Sequence, residues 1–302
     1  DIGTYGIWTG ALDMVPSAVA GEATAELDEL GYGAVWIPET VFREPFVHAA
    51  LLMAASPRIK VATGIVNRYG RDPLAANAAM QTLNEAFPGR FLLGLGVSHE
   101  HLVAWVRKHD YSRPYSGMVE YLDAMAKARF FAPRGDPPAQ MVLAALGPRM
   151  LSLAAERTAG AHTYFVPPEH TAIARETMGP EPLLAVEQMV VLDTDPATAR
   201  ETARQHMAVY LSAPNYTNNL ARLGFGPEDV ADGGSDRLVD AIVVHGELDD
   251  ALGRIRSHLD AGADHDLRPP GQHPATFGHG ELTDTARVRR LPTIDRHGVE
   301  KT

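Results

Sequence analysis

Seven short apolar runs punctuate the chain, at Thr4–Trp8, Ala34–Pro38, Ile59–Val66, Phe91–Leu95, Met141–Ala144, His162–Val166 and Leu183–Leu192. Most are continuous in apolar residues rather than alternating, as befits strands covered on both faces. A parallel sheet is therefore predicted. Between the runs, helical spacing is framed by caps and breakers. Pro16 leads into a pattern that reaches Leu27 and Leu30 and stops at Gly31, the usual residue just past a helix end. Pro73 opens a helix that runs to Phe87, and Asp195-Pro196 supplies an N-cap and a first helical residue for a helix through Tyr210. Strands alternating with helices at roughly 30 to 40 residues per unit fit an α/β fold of the (β/α)8 TIM type.

Two stretches exceed that unit, 98–140 and 197–262, and insertions of this kind gather at the C-terminal mouth of such barrels. The expected organisation is one barrel domain over 1–265 followed by an atypical tail over 266–302. After Ala263-Asp264-His265, where an eighth strand is due, the chain reads Asp266-Leu267-Arg268-Pro269-Pro270, which looks nothing like a buried strand; Arg287–Leu291 is the one weak β candidate beyond it. The eighth strand is expected to be absent or irregular.

Composition narrows the class. The 302 residues are 45% hydrophobic, enough for a large core. A net charge of −11 disfavours nucleic acid and anionic membranes. Cysteine is absent, which removes disulfides, thiolate metal sites and cysteine nucleophiles. No apolar run approaches the ~20 residues that span a bilayer. A cytoplasmic location is the expectation.

Reactive groups in parallel α/β folds collect at the C-terminal ends of strands. Those ends here carry Trp8-Thr9, Glu39-Thr40, Gly64-Ile65-Val66-Asn67, Gly96-Val97-Ser98-His99, Leu146-Gly147-Pro148-Arg149 and Tyr164-Phe165-Val166. The set is rich in glycine, small polar groups and aromatics, and suits a flat apolar ring better than a sugar or a metal. Glycine within a strand marks a bulge, tight packing or close approach of a ligand. Gly64, Gly94 and Gly96 on neighbouring strands are read as clearing space for one planar molecule. Gly147 to Met150 opens a helix whose free N–H groups, with Arg149 beside them, form an anion site or a plain capping turn. His99 and His101, two residues apart, fall on different helix faces, so no metal site is expected. His99 reads as a proton donor or hydrogen-bond partner, and Glu39 as a base, a cofactor contact or a bonded structural carboxylate.

Several stretches together resemble the luciferase-like monooxygenase superfamily and, within it, the branch that uses the deazaflavin coenzyme F420. They are Glu29 to Glu39, Ala62-Thr63-Gly64-Ile65, Gly89 to Gly96, Leu146 to Leu151, Ala161 to Thr171 and Asp260 to Asp264. The resemblance implies a TIM-type barrel, commonly a homodimer, with the ring across the C-terminal strand ends and a non-prolyl cis peptide at Gly64-Ile65 supporting it. It implies cofactor contacts from Trp8, Thr63, Gly64, Ile65, Gly96, Val97, Ser98, Leu146, Gly147, Pro148, Arg149 and Met150, with the phosphate at the Gly147 to Met150 helix start. Glu39, Thr40, Asn67 and His99 are the candidate catalytic positions. Where deazaflavin sugar-phosphate dehydrogenases of this superfamily carry His and Glu, this chain has Thr40 and Val97. The implied activity is hydride transfer between reduced F420 and a small organic substrate. An FMN-dependent monooxygenase served by a flavin reductase, and a non-catalytic flavin-binding barrel, are the alternatives.

Overall fold

A computed structural model describes residues 2–267. Its strands are β1 (Tyr5–Trp8), β2 (Ala34–Ile37), β3 (Lys60–Thr63), β4 (Val66–Asn67), β5 (Phe91–Gly96), β6 (Gln140–Ala144), β7 (Gly160–Thr163), β8 (Leu183–Val186), β9 (Met189–Val191), β10 (Val243–His245) and β11 (Asp266–Leu267). Its α-helices are α1 (Ser17–Glu29), α2 (Pro45–Ala55), α3 (Pro73–Ala86), α4 (Pro114–Lys127), α5 (Pro148–Arg157), α6 (Pro168–Met178), α7 (Pro196–Leu211), α8 (Pro214–Arg222), α9 (Pro227–Val230), α10 (Asp236–Ile242) and α11 (Leu248–Asp260). The caps follow the chemistry of their residues. Asp72 accepts from the N–H groups of Leu74 and Ala75 with Pro73 behind it, Asp195 accepts from Thr198 N, and Gly31 takes φ +86° after α1.

The sheet runs β11-β1-β2-β3-β5-β6-β7-β8 with every neighbour parallel. A single parallel bridge from Ala185 to His265 joins its two ends. The barrel therefore has an eighth strand, present but irregular rather than absent. It is only two residues long, pairing Tyr5 with Asp266 and Gly6 with Leu267. Main-chain bonds do the closing: Asp266 N donates to Thr4 O and Val186 N to His265 O. Because the closing residues are His and Asp rather than apolar ones, no hydrophobic run announces them. The remainder of the tail, including Arg287–Leu291, lies outside the described residues.

Two other runs divide. Ile59–Val66 breaks into β3 and β4 at a cis Gly64-Ile65 peptide, and the Thr63 hydroxyl fills the gap in the ladder by donating to Gly94 O and accepting from Gly94 N, at 2.8 and 2.9 Å. Leu183–Leu192 breaks at Glu187-Gln188, leaving β8 in the barrel and β9 in a parallel pair with β10. His162–Val166 moves earlier, to Gly160–Thr163, and Phe165 turns out of the strand with φ +60°.

The main core lies between barrel and helices, with Leu52, Met53, Leu93, Leu95 and Leu143 almost fully buried. Inside the barrel, Trp36, Ala62, Leu92, Val142 and Ala185 fill the axis. A satellite core built from the 197–262 insertion, including Met207, Tyr216, Leu220 and Leu238, packs against Leu146 and Tyr164 at the strand ends. The insertion thus roofs one side of the mouth, as its length suggested.

Candidate functional site

The barrel interior is polar yet uncharged. Trp36 stacks on His162 at 4.5 Å and donates its indole N–H to His265 Nε2. His265 must then donate from Nδ1 to Gly3 O. His162 donates from Nδ1 to Ala185 O, 3.1 Å away, which leaves its Nε2 a buried acceptor without a partner among the described residues. Burial holds both imidazoles neutral by pulling them down to about 4.

Above this layer, Trp8 donates to Gly64 O at 3.0 Å. A methyl at Gly64 would collide with the Trp8 ring, one at Gly94 would run into the Thr63 carbonyl, and one at Gly96 would stand 2.6 Å from the Ile65 Cδ1. The room left by these glycines is filled by the protein itself: the indole, the bulged backbone and the Ile65 side chain. This corrects the reading that they clear space directly for a ligand. What they permit is the Gly64-Ile65 bulge, with Ile65 laid over Gly96.

On the same rim Glu39 is a structural anion. Its carboxylate accepts from Asn67 N at 2.7 Å and from both terminal nitrogens of Arg71, and Arg107 reaches it at 3.2 Å. Asn67 spends its side-chain oxygen on Tyr69 N. Thr40 differs, because its hydroxyl is buried and finds no partner among the described residues. Val97 packs against the main core. Ser98 adopts φ +57° and its carbonyl accepts from Tyr111. His99 donates from Nδ1 to Asn215 on α8, and burial lowers its pKa, against the opposing pull of that bond.

At β6 the chain passes through Leu146, whose carbonyl accepts from His170, into Gly147, the N-cap of α5, which has no side chain with which to cap. Pro148 follows at the first position and Met150 N turns back to Gly147 O. With Pro148 lacking an N–H and the Met150 and Leu151 N–H groups bonded to Gly147 O, the first turn offers only the Arg149 N–H, at the positive end of the helix dipole. The Arg149 guanidinium sits 4.1 Å above the Tyr115 ring. The cation beside Gly147 is Arg222 at the end of α8, 3.6 Å from where a β-carbon would stand. Nothing in the local sequence marks Arg222; only the folding of the insertion brings it there.

Three tyrosines and one carboxyl complete the mouth. Tyr164 and Tyr210 share a 2.8 Å hydroxyl bond, Tyr164 lies 5.2 Å from Trp8, and Tyr216 packs at 5.4 Å from His99. Burial keeps all three phenols protonated, with Tyr210 pushed up to about 12. Glu187 at the end of β8 is 6% exposed. Among the described residues its carboxyl accepts one hydrogen bond, a long one from Phe165 N, 3.4 Å, and burial raises the carboxyl to about 8. The polar pair Glu187-Gln188 inside an otherwise apolar run was the available signal for it.

A family model described as luciferase-like monooxygenase matches residues 8–265. A 5,10-methylenetetrahydromethanopterin reductase of Methanolobus tindarius is 25% identical over 279 residues, covering 78% of this chain and 85% of that protein. Among solved structures, the coenzyme F420 dependent tetrahydromethanopterin reductase from Methanopyrus kandleri superposes with a TM-score of 0.68 at 17% identity, covering 87% of this chain and 92% of that one. The oxygenating constituent of 3,6-diketocamphane monooxygenase from Pseudomonas putida, in complex with FMN, gives 0.63 at 15% identity, covering 88% and 91%.

Proposed function

The chain belongs to the luciferase-like monooxygenase family, and on that footing we propose that it is an F420-dependent oxidoreductase moving hydride to or from a small organic substrate. The observation that carries the reading is the uncapped start of α5 beside Arg222, set at the same barrel mouth as the Ile65 bulge. A helix dipole, the Arg149 N–H and a guanidinium together suit a phosphate ester. An apolar bulge at the strand ends suits the face of a tricyclic ring. The buried, unpartnered Thr40 hydroxyl supplies a donor that a polar ring edge would satisfy.

When bound, a deazaflavin supplies a two-electron carrier that accepts or gives hydride. The chain's own residues do the rest. Gly147, Arg149 and Arg222 hold the anionic end, Ile65 backs the ring, and Trp8, Tyr164, Tyr210 and Tyr216 exclude water from the reacting face. His99, fixed by Asn215, keeps an acceptor nitrogen at the rim. Glu39, saturated by Arg71 and Arg107, braces the loops and does not take part in proton transfer.

Support for the deazaflavin over a flavin comes from the F420-dependent structural neighbour from Methanopyrus kandleri. The FMN-bound neighbour keeps an FMN monooxygenase as the second reading. Titrating purified protein with F420 and with FMN, monitored by fluorescence, decides between them. Saturable binding of F420 and none of FMN is expected; tight FMN binding without F420 binding reverses the order, and binding of neither refutes both.

A further inference from the structure

Two carboxyl groups stand near the barrel mouth in opposite environments. Glu39 is surrounded by Arg71, Arg107 and a main-chain N–H. Glu187 has no cation within reach among the described residues. The groups that face it are Tyr164 at the end of β7, Tyr210 on α7 and Tyr216 on α8, all neutral phenols, and His162 and His265, both neutral imidazoles, which line a cavity with it. An ionised carboxylate without a partner in such a place carries a desolvation cost that a single 3.4 Å bond from Phe165 N does not offset. The acid form removes the charge and turns an unpartnered acceptor into a donor.

An acceptor for that donor is at hand. The cavity bounded by Trp8, Trp36, His162, Ala185, Val186, Glu187 and His265 has about 10 Å3 of room for a water centre, close to the requirement for a single ordered water. Its wall includes His162 Nε2, a buried lone pair with no partner among the described residues. The tautomer of His162 is fixed by Ala185 O, so Nε2 can only accept. A water donating to Nε2 and accepting from the Glu187 hydroxyl satisfies both.

We propose that Glu187 is the proton-holding group of the site: a neutral carboxylic acid, linked through one buried water to His162, that gives up and recovers the proton accompanying hydride transfer. The chemical part rests on the function proposed above. In the reducing direction a hydride from the reduced deazaflavin or flavin adds to a substrate carbonyl or imine carbon, and the π electron pair moves to oxygen or nitrogen. That atom takes the proton that Glu187 gives up, leaving a carboxylate that solvent reprotonates. Oxidation runs the same path backwards.

The test uses the full chain and the substitution Glu187→Gln, which keeps the shape of the neutral acid and cannot ionise. Urea unfolding from pH 5 to 8 is expected to show the variant's folding constant, relative to wild type, rising about tenfold per pH unit, because only the wild type must hold its proton against a rising pH. Infrared spectra of wild type at pH 7 are expected to contain a protonated-carboxyl stretch that the variant lacks, a measurement that also serves if the variant folds poorly. Single-turnover hydride transfer in the variant is expected to fall roughly 100- to 1,000-fold and to lose the wild-type dependence on pH near 8, with cofactor affinity retained. Parallel stability curves, or no carboxyl band in wild type, overturn the assignment. Both of those as expected but an unchanged rate shows a proton held and not used, which overturns the role. If wild type binds neither F420 nor FMN, the proposed function and the chemical role fall together, and the first two measurements still decide whether Glu187 holds a proton.

Discussion

His258 offers a clean test of how the satellite core is tied to the barrel. Its side chain, fully buried on α11, accepts at Nδ1 from the Thr171 hydroxyl of α6 and donates from Nε2 to Gln188 Oε1. Gln188 in turn donates to Met189 O and Ile242 O, fixing the start of β9 and the end of α10. Every polar atom of the chain is used only while the imidazole is neutral. Burial accordingly lowers His258 to about 3, with Arg254 and His170 adding to the effect. The unfolded chain takes up a proton near 6.5 and the folded one does not, so stability is complete above 6.5 and is lost as pH falls toward 3. At pH 5 the gap of 1.5 units below 6.5 corresponds to a loss of about 2 kcal/mol from this residue. The perturbation is His258→Gln, which does not titrate. Urea unfolding at pH 8 is expected to find the variant about 1 to 3 kcal/mol less stable, since the Thr171 and Gln188 bonds are disturbed. At pH 5 that deficit is expected to shrink by about 2 kcal/mol. An equal deficit at the two pH values would mean that His258 accepts a proton in the fold, and the network as drawn would be wrong.

Five further substitutions test the geometry. Thr63→Val deprives Gly94 of both bonds that bridge the β3/β4 gap and is expected to cost about 2 to 4 kcal/mol in chemical denaturation, whereas Gly94→Ala, which drives a methyl into the Thr63 carbonyl, is expected to abolish soluble folded protein on expression. Glu39→Gln leaves Arg71 and Arg107 without their shared anion; with Arg107 29% exposed the expected loss is about 3 kcal/mol of stability, at the low end for a buried pair, read as a lower Tm. Arg222→Ala is expected to weaken binding of the phosphate-bearing cofactor roughly tenfold with little change in Tm, and Arg149→Ala to weaken it less; a larger effect at Arg149 would restore the assignment made from sequence alone.

Much of the barrel was legible because each strand buried on both faces leaves a continuous apolar run, and because Asp-Pro and Gly signals frame the helices. What escaped notice shares one cause. β11 closes the ring with His265 and Asp266, whose work is done by backbone bonds and by an imidazole against Trp36, so hydropathy is silent there. The ends of β3 and β8 were overrun because a bulge and a strand that changes sheets leave the local composition apolar. Site residues divide in the same way. The helix start at Gly147-Pro148 was legible because it has a local signature. Arg222 was missed because its place depends on how α8 packs. The strand glycines were correctly picked out as places of close approach, but the approaching atoms belong to Trp8, Thr63 and Ile65, which no spacing rule reveals.

The distribution of charge around the mouth constrains how any ligand can lie there. On the side of β2 and β4, Glu39 is compensated by Arg71 and Arg107, the carboxylate and Arg71 lying almost wholly within the protein. Past β6, Arg149 and Arg222 stand exposed beside an uncapped helix start with no acidic partner at the α5 end. Around the ends of β7 and β8, His162, the three tyrosines and Glu187 are held neutral. An anionic tail is favoured at α5 alone, and a group whose charge changes during reaction is best placed on the neutral side, where low polarity magnifies the effect of a single proton. For the cofactor proposed above, this field favours a tail toward β6 and a reacting face toward β8, which would set the chemistry next to Glu187 rather than Glu39.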